Sequence, residues 1–490
     1  MIFYQSGYLE NDCDLLISGA LGIVIPKVGV LQLDILVEDG RIKDLRKDST
    51  NVIASNRINA SGKYVIPGVI DPHSHYGVFT PIERAARTES RSAAIGGITS
   101  VIRMLRLDGS YRKLSNQFRM SAKNHYIDYS IHASILNDEQ VKDIPFLISD
   151  MDITSFKVYM NLGNGYNRIL MDLDPGKSEL NECEVNVNDD LIENILKSCS
   201  HVNATVIIHA EDPAICAENT SKQKLLDISN PKGSNLLKWS ESRPPVSESV
   251  SISRIANLGS KYNSTLYFAH VGSTVALDAI IREKEKGNLV TFVETCPHYL
   301  THTIDFSSIK GKVVPPLRTK SDQQAMWYGL KNGIIDTVGT DHVANTLSLK
   351  QGNGDLWTAL SGFPGMGTML PVLLSEGVNK DRITLERLVE ITSYSAAKIF
   401  DMYPLKGTIM KGSDADLTII DLEMQKTVTP DLLASSSDYT IYDGWKLTGW
   451  PVTTIVRGMI VMDDGSVDEN TLGHGKLIPR ICGGGTGIKK

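Results

Sequence analysis

The sequence predicts an α/β protein: a (β/α)8 TIM barrel, with a β-sandwich-like domain formed by both chain ends. Three observations carry this. From residue 63 to 400, apolar strand-like runs alternate with amphipathic helical stretches, and eight such runs can be counted. Potential ligand and acid–base residues fall at the carboxyl ends of those runs, where a barrel keeps its chemistry. Both termini read instead as short strands and tight turns, and neither alone has strands enough to bury a core. A doubly wound open sheet is the competing architecture, but no Gly-x-Gly-x-x-Gly fingerprint follows the first strand.

In chain order, residues 1–62 form the first part of the β domain. Asp14–Gly19 opens it, and Leu33–Val37 runs into Glu38-Asp39-Gly40-Arg41-Ile42, a hairpin signal. The barrel strands are expected at Val65–Ile70, Ile98–Met104, Tyr129–Ile135, Ser155–Met160, Thr205–His209, Leu266–His270, Val290–Thr295 and Asp336–Gly339. Helical periodicity marks Ile82–Ile95, Ser247–Leu258, Val275–Lys286 and Ser321–Asn332. The long stretch from Gly163 to Asn188 is a candidate active-site lid. Residues 401–480 return to short strands and complete the β domain. The glycine-rich end, 481–490, reads as a disordered tail.

Composition narrows the class. Hydrophobic residues make up 41% and charged residues 22%, as in a globular protein, and 490 residues exceed one ordinary core. A net charge of -7 without basic runs argues against nucleic acid as partner. Six cysteines without CxxC spacing suit free thiols in a reducing compartment. No segment is long and apolar enough to span a membrane, and Met1–Gly7 does not begin like a secretory signal. A cytoplasmic protein with no membrane partner is expected.

The chemistry starts at Val65–His75. Strand side chains alternate between faces, so His73 and His75 point the same way and bring two imidazoles into one volume. Lys157 lies in the fourth run, His209 ends the fifth, His270 ends the sixth and Asp341 follows the eighth. Singly, such residues are more often a satisfied histidine, a snorkelling lysine or a helix cap. Together they place four imidazoles, an amine and a carboxylate on one rim, a set suited to zinc or another borderline divalent metal.

The ordered motifs resemble the cyclic amidohydrolases of the dihydropyrimidinase/hydantoinase type, relatives of allantoinase and dihydroorotase. They include Pro67-Gly68-Val69-Ile70-Asp71-Pro72-His73-Ser74-His75, Phe156-Lys157-Val158-Tyr159-Met160, Ile208-His209-Ala210-Glu211 and Ala269-His270-Val271. Further matches are Glu294–Leu300, Pro315-Pro316-Leu317-Arg318, Val338-Gly339-Thr340-Asp341-His342, Lys406–Ile409 and Gly412–Leu417, so the likeness spans nearly the whole chain.

The resemblance implies two zinc ions per chain. His73, His75 and Asp341 would hold one, His209 and His270 the other, and Lys157, carboxylated by carbon dioxide, would bridge them. Asp341 would be the catalytic base and then acid in opening a dihydropyrimidine or hydantoin ring. The substrate would be a small cyclic amide and the assembly a homo-oligomer, a tetramer or dimer. All six positions are present, which disfavours a non-catalytic scaffold homologue. The chain departs from the pattern in its substrate pocket. Leu162 stands where hydantoinases carry a tyrosine oxyanion donor, so Tyr159 or Tyr166 is expected to replace it. Val314 and Ser361 stand at substrate-contacting positions where serine and asparagine are common. Tyr76-Gly77 replaces the arginine that dihydroorotases place after the second histidine, with Arg103 and Arg106 the arginines nearest to substitute for it. Allantoinase remains an alternative, because Glu294–Leu300 and Gly362–Gly365 fit that branch equally.

Overall fold

A computed structural model of the chain describes residues 12–113, 115–163, 167–229 and 235–480. Seven parallel strands follow one another around a sheet: Val69–His75, Ile98–Leu105, Asp128–Ser134, Ser155–Tyr159, Thr205–His209, Thr265–Phe268 and Val290–Thr295. The eighth strand is in two pieces. Thr337–Val338 pairs with the seventh strand and His342–Val343 with the first, so the sheet closes on itself through Gly339, Thr340 and Asp341. Asp71 fastens this closure: its carboxylate accepts from the Thr340 backbone N–H at 3.0 Å and from the Thr340 hydroxyl at 2.6 Å.

The helices form where the periodicity places them. Ile82–Ile95 turns Ile82, Ala85, Ala86 and Ala93 inward. Lys320–Lys331 starts on a capping box, in which Thr319 and Asp322 satisfy each other's backbone N–H groups. Thr274–Glu285 starts on Ser273, whose hydroxyl accepts from Ala276. The predicted stretch Ser247–Leu258 lies within Pro245–Ser260.

The first barrel strand differs from the expectation. The apolar run Val65–Ile70 reads as one strand, yet Tyr64–Pro67 belongs to the β domain and only Val69–His75 to the barrel. The chain changes sheets at Gly68, where a Cβ would lie 2.1 Å from the Thr99 hydroxyl, so only glycine permits the approach. The sixth strand also ends early, at Phe268, which leaves His270 beyond it in a left-handed conformation (φ 43°).

Both chain ends build the β domain. A seven-stranded sheet orders Ser466–Val467, Met459–Asp463, Lys446–Val456, Leu417–Thr427, Tyr64–Pro67, Gly22–Ile25 and Gly29–Leu31. Its seam is antiparallel, with Leu417 opposite Pro67 and Ile420 opposite Tyr64. A four-stranded sheet, Arg41–Arg46, Asp34–Glu38, Cys13–Ser18 and Ala54–Asn59, lies over it. Leu15, Ile35 and Val37 from the smaller sheet and Val65, Leu417 and Ile455 from the larger fill one apolar core. The expected hairpin is present, turning at Asp39 and Gly40, both with positive φ as a type I′ turn requires. The tail 481–490 lies outside the described residues.

Where the barrel's amino-terminal end meets the β domain, Asp128, Asp414 and Asp416 converge. The Lys406 ammonium sits among them, 2.5 Å from Asp128, 2.5 Å from Asp416 and 3.0 Å from Asp414, and Arg457 also pairs with Asp128. The cluster is therefore a buried ion-pair network with a resident cation. Removing that cation strands buried carboxylates, which costs about 3–5 kcal/mol. Lys406→Met is expected to lower the thermal midpoint clearly while Lys406→Arg lowers it less; equal melting of wild type and Lys406→Met would contradict this role.

Candidate metal centre

The carboxyl ends of the barrel strands enclose a cavity of ≈ 330 Å³, within the range of small-molecule sites. His75, Lys157, His209, His270 and Asp341 line it, and His73 lies directly behind. The His73 ring centroid is 5.3 Å from those of His75 and His270, and the His209 and His270 rings are 4.5 Å apart. Asp341, in the break of the eighth strand at φ 49°, brings Oδ1 to 3.3 Å from His73 Nε2 and 3.2 Å from His75 Nε2. A left-handed aspartate and a left-handed histidine at one site are the kind of local strain that functional centres hold.

Two of the imidazoles are held by carboxylates from behind. His73 Nδ1 bonds Glu294 Oε1 at 2.7 Å, which directs Nε2 toward the cavity. Glu294 is itself fixed by the Tyr267 hydroxyl at 2.7 Å and the His270 backbone N–H at 3.0 Å. His209 Nε2 bonds Glu211 Oε2 at 2.6 Å, and Arg243 clamps that carboxylate with Nε at 2.9 Å and Nη2 at 2.8 Å. A carboxylate behind His73 and another behind His209 set the tautomer of each ring and raise its basicity, the usual support of a metal-binding histidine. Sequence reading missed Glu294, Arg243 and the role of Glu211. Glu211 had a visible signal, since it shares a motif with His209 at a spacing of two. Arg243 had none, because it comes from a distant helical connection.

The buried groups around the cavity fit a cation. His73 Nε2, His75 Nδ1, His270 Nδ1 and Lys157 Nζ are buried and make no hydrogen bond. Unpaired buried polar atoms are rare and need a cause. Burial and neighbouring positive charge lower the pKa of His73, His75 and His270 well below normal, so these rings are neutral, as ligands must be. A carboxylate oxygen beside two lone-pair-bearing nitrogens then lacks a positive partner, and a metal ion supplies it. Burial likewise lowers the Lys157 pKa to about 8, against the opposing pull of Glu294 and Asp341, and so raises the share of neutral amine near neutral pH.

The other predicted positions fall as follows. Tyr159 lines the cavity, two residues from Lys157 and opposite His209 across the sheet. Its hydroxyl is buried without a well-formed hydrogen bond, although the Ser134 side chain lies beside it. Leu162, Val314 and Ser361 line the cavity too, while Tyr166 lies outside the described residues. The stretch read as a lid folds in part as an antiparallel hairpin, Arg168–Leu170 against Glu182–Glu184, which forms one cavity wall. Arg103 is withdrawn from the cavity and paired with Asp172 at 2.6 Å, whereas Arg106 lines it.

A closed parallel barrel with imidazole, amine and carboxylate groups converging at the carboxyl ends of its strands defines a metal-dependent hydrolase. The family model of the amidohydrolase family, itself metal-dependent, matches residues 64–461, and the chain belongs to that family. It is 32% identical over 465 residues to the L-hydantoinase of Paenarthrobacter aurescens, covering 92% of this chain and 95% of that protein. It is 30% identical over 475 residues to the D-phenylhydantoinase of Escherichia coli O1:K1 / APEC, covering 94% of this chain and 97% of that protein. The solved structure of L-hydantoinase (dihydropyrimidinase) from Arthrobacter aurescens superimposes with a TM-score of 0.85 at 29% identity, covering 96% of this chain and all of that one (100%). The chain is thus a cyclic amidohydrolase of the hydantoinase/dihydropyrimidinase type, an enzyme of metal-dependent cyclic amide hydrolysis at non-peptide C–N bonds.

Proposed function

We propose that this chain opens a hydantoin or dihydropyrimidine ring by hydrolysis at a site for two zinc ions. The observation that carries the reading is the meeting of His73 Nε2 and His75 Nε2 at the Asp341 carboxylate, in a cavity that His209, His270 and the unpaired Lys157 amine also line. His73, His75 and Asp341 would hold one metal and His209 and His270 the second, with Lys157, carboxylated by carbon dioxide, shared between them. When bound, the two metals acidify water and polarise the carbonyl to be attacked.

The protein's own groups do the rest. Asp341 takes a proton from the attacking water and returns it to the departing ring nitrogen, acting as base and then acid. The Tyr159 hydroxyl, free of a strong internal partner, donates to the carbonyl oxygen as negative charge develops there. Val314 supplies an apolar wall, and Ser361 a hydroxyl, beside the ring. Tyr159→Phe is expected to lower kcat about 10²–10³-fold with little change in metal content. Unchanged turnover would remove Tyr159 from the reaction.

The decisive experiment measures metal per chain alongside ring-opening of dihydrouracil, hydantoin, allantoin and dihydroorotate. Two zinc ions per chain and turnover of hydantoin or dihydrouracil, abolished by chelation, are expected. Failure to take up metal when zinc and bicarbonate are supplied would overturn the reading.

The same reading extends to a cytoplasmic homotetramer. Among the described residues Cys13, Cys183, Cys216 and Cys296 are free thiols, which supports a reducing compartment. No helix among them is long and apolar enough to cross a membrane. Leu225, Leu226 and Ile228 leave one helix, Pro213–Ser229, with an apolar surface that supports self-association. Light scattering after size exclusion tests the assembly, and a monomer would contradict it.

A further inference from the structure

Arg106 is the one cation lining the cavity, among the described residues, that the proposed reaction does not use and whose guanidinium no carboxylate hydrogen-bonds. The other candidates are spoken for. Lys157 belongs to the metal centre, and Arg168 pairs with Glu182 at 2.9 Å. Asp172 offsets the Arg106 charge in part, since Arg103 and Arg106 both oppose the rise that burial causes in its pKa, but its oxygens are bonded elsewhere. One Asp172 oxygen accepts from Arg103 Nη1 at 2.6 Å and the other from the Arg106 backbone N–H at 2.9 Å. The Arg106 guanidinium makes no ion pair or hydrogen bond of its own among the described residues, and its Nε is buried without a partner.

Such a group is costly where it stands. Its positive charge bears on His75, Lys157 and Tyr159, beside a site read as holding two divalent cations. A half-buried guanidinium that only a shared carboxylate offsets is disfavoured next to metal ions by repulsion, unless a further anion completes the arrangement. The carboxylates on the other walls are engaged elsewhere, Glu182 with Arg168 and Asp341 beside His73 and His75, and Val78, Phe79, Leu162, Ile169, Val313 and Val314 are apolar. A planar fork of N–H donors on an apolar wall matches a carboxylate, which it can hold through two parallel bonds.

We propose that Arg106 is a specificity-determining residue and that the preferred substrate is a cyclic ureide bearing a carboxylate substituent. The ring would lie against the metal centre and Tyr159, with its carboxylate turned to Arg106. This rests on the ring-opening function proposed above and names its substrate class. It also separates this chain from a relative named for a phenyl substituent, the D-phenylhydantoinase.

The test compares hydantoin-5-acetate with its neutral near-isostere hydantoin-5-acetamide, in the zinc-loaded protein and in Arg106→Gln and Arg106→Lys. In the wild type kcat/KM should favour the acetate by about 10- to 100-fold, the range for a charge-assisted hydrogen bond in a sheltered site. Arg106→Gln should bring the ratio near one, chiefly through a higher KM for the acetate, because the contact is made before and during reaction alike. Arg106→Lys should retain part of the preference, since it keeps the charge and loses the fork. Each ratio is taken within one variant, so a partly unfolded preparation does not alter it. A wild-type ratio near one, or a ratio that Arg106→Gln leaves intact, overturns the proposal. Calorimetric titration with the same two compounds reads the site without turnover. Preferential acetate binding that Arg106→Gln abolishes, with neither ring opened, would uphold the anion site and remove the ring-opening reading. Opening of both rings with no preference in binding or rate would do the reverse.

Discussion

Asp341→Asn is expected to lower turnover per metal-loaded site by about 10²–10⁴-fold, the usual worth of a positioned acid–base group. Asparagine keeps the size and one oxygen of the side chain, so it can still approach His73 and His75 as Asp341 Oδ1 does, at 3.3 and 3.2 Å. It cannot accept and return a proton. Because the aspartate is also read as a ligand, part of the loss will come from metal occupancy, and the two effects must be separated. Metal content of the purified variant gives the first, and turnover divided by loaded sites gives the second. A variant that binds less zinc but turns over normally at each loaded site would make Asp341 a ligand without a role in proton transfer. The left-handed backbone at Asp341 adds a structural constraint. Asparagine tolerates that conformation as well as aspartate does, whereas a β-branched replacement would strain the closure of the barrel.

The site could be foreseen from the sequence to the extent that it is local. His73 and His75 share a face because strands alternate, and Lys157, His209 and His270 sit at or near the ends of apolar runs that any strand pattern reveals. The barrel followed from the same alternation. What escaped is set by tertiary contact. Val65–Ile70 reads as one strand because hydrophobicity has no mark for a change of sheet; the mark was Gly68, and its meaning depends on Thr99 packing against it. Glu294 lies in the motif Glu294–Leu300 yet shows its function only when the seventh strand is placed behind His73. The split of the eighth strand around Asp341 was equally hidden, since two short pieces pair with strands far apart in sequence. Arg103 and Arg106 look interchangeable in sequence. Only Asp172, reaching over from the segment after the hairpin strand Arg168–Leu170, separates an arginine bonded through its guanidinium from one bonded only through its backbone.

Lys157→Met is expected to reduce turnover below detection and metal content well below two zinc ions per chain. The wild-type side chain is fully buried, and its Nζ makes no hydrogen bond. A bare ammonium in that position would cost several kcal/mol and would repel the cations its neighbours are arranged to hold. The lowered pKa raises the share of neutral amine, the form that attacks carbon dioxide. In the proposed carboxylation the nitrogen–carbon bond would form, a proton would leave the nitrogen to solvent, and the side chain would become an anionic carbamate with two oxygens. Charge at Lys157 would then change sign where the two proposed metals would share an anion. Methionine preserves the volume of the chain without either charge, so loss of fold is minimised and loss of metal is the effect read. Two further measurements tie the result to the carbamate. Zinc uptake by the wild type should depend on bicarbonate, and carbon-13 bicarbonate should give a protein-bound carbamate signal. In Lys157→Ala, where a cavity is left, short carboxylic acids such as acetate should restore part of the activity by standing in for the missing anion. Full zinc content and normal turnover in Lys157→Met would refute the bridging role. Normal zinc uptake by wild type in bicarbonate-free buffer, with no carbamate signal, would refute the modification and leave the unpaired amine to be explained otherwise.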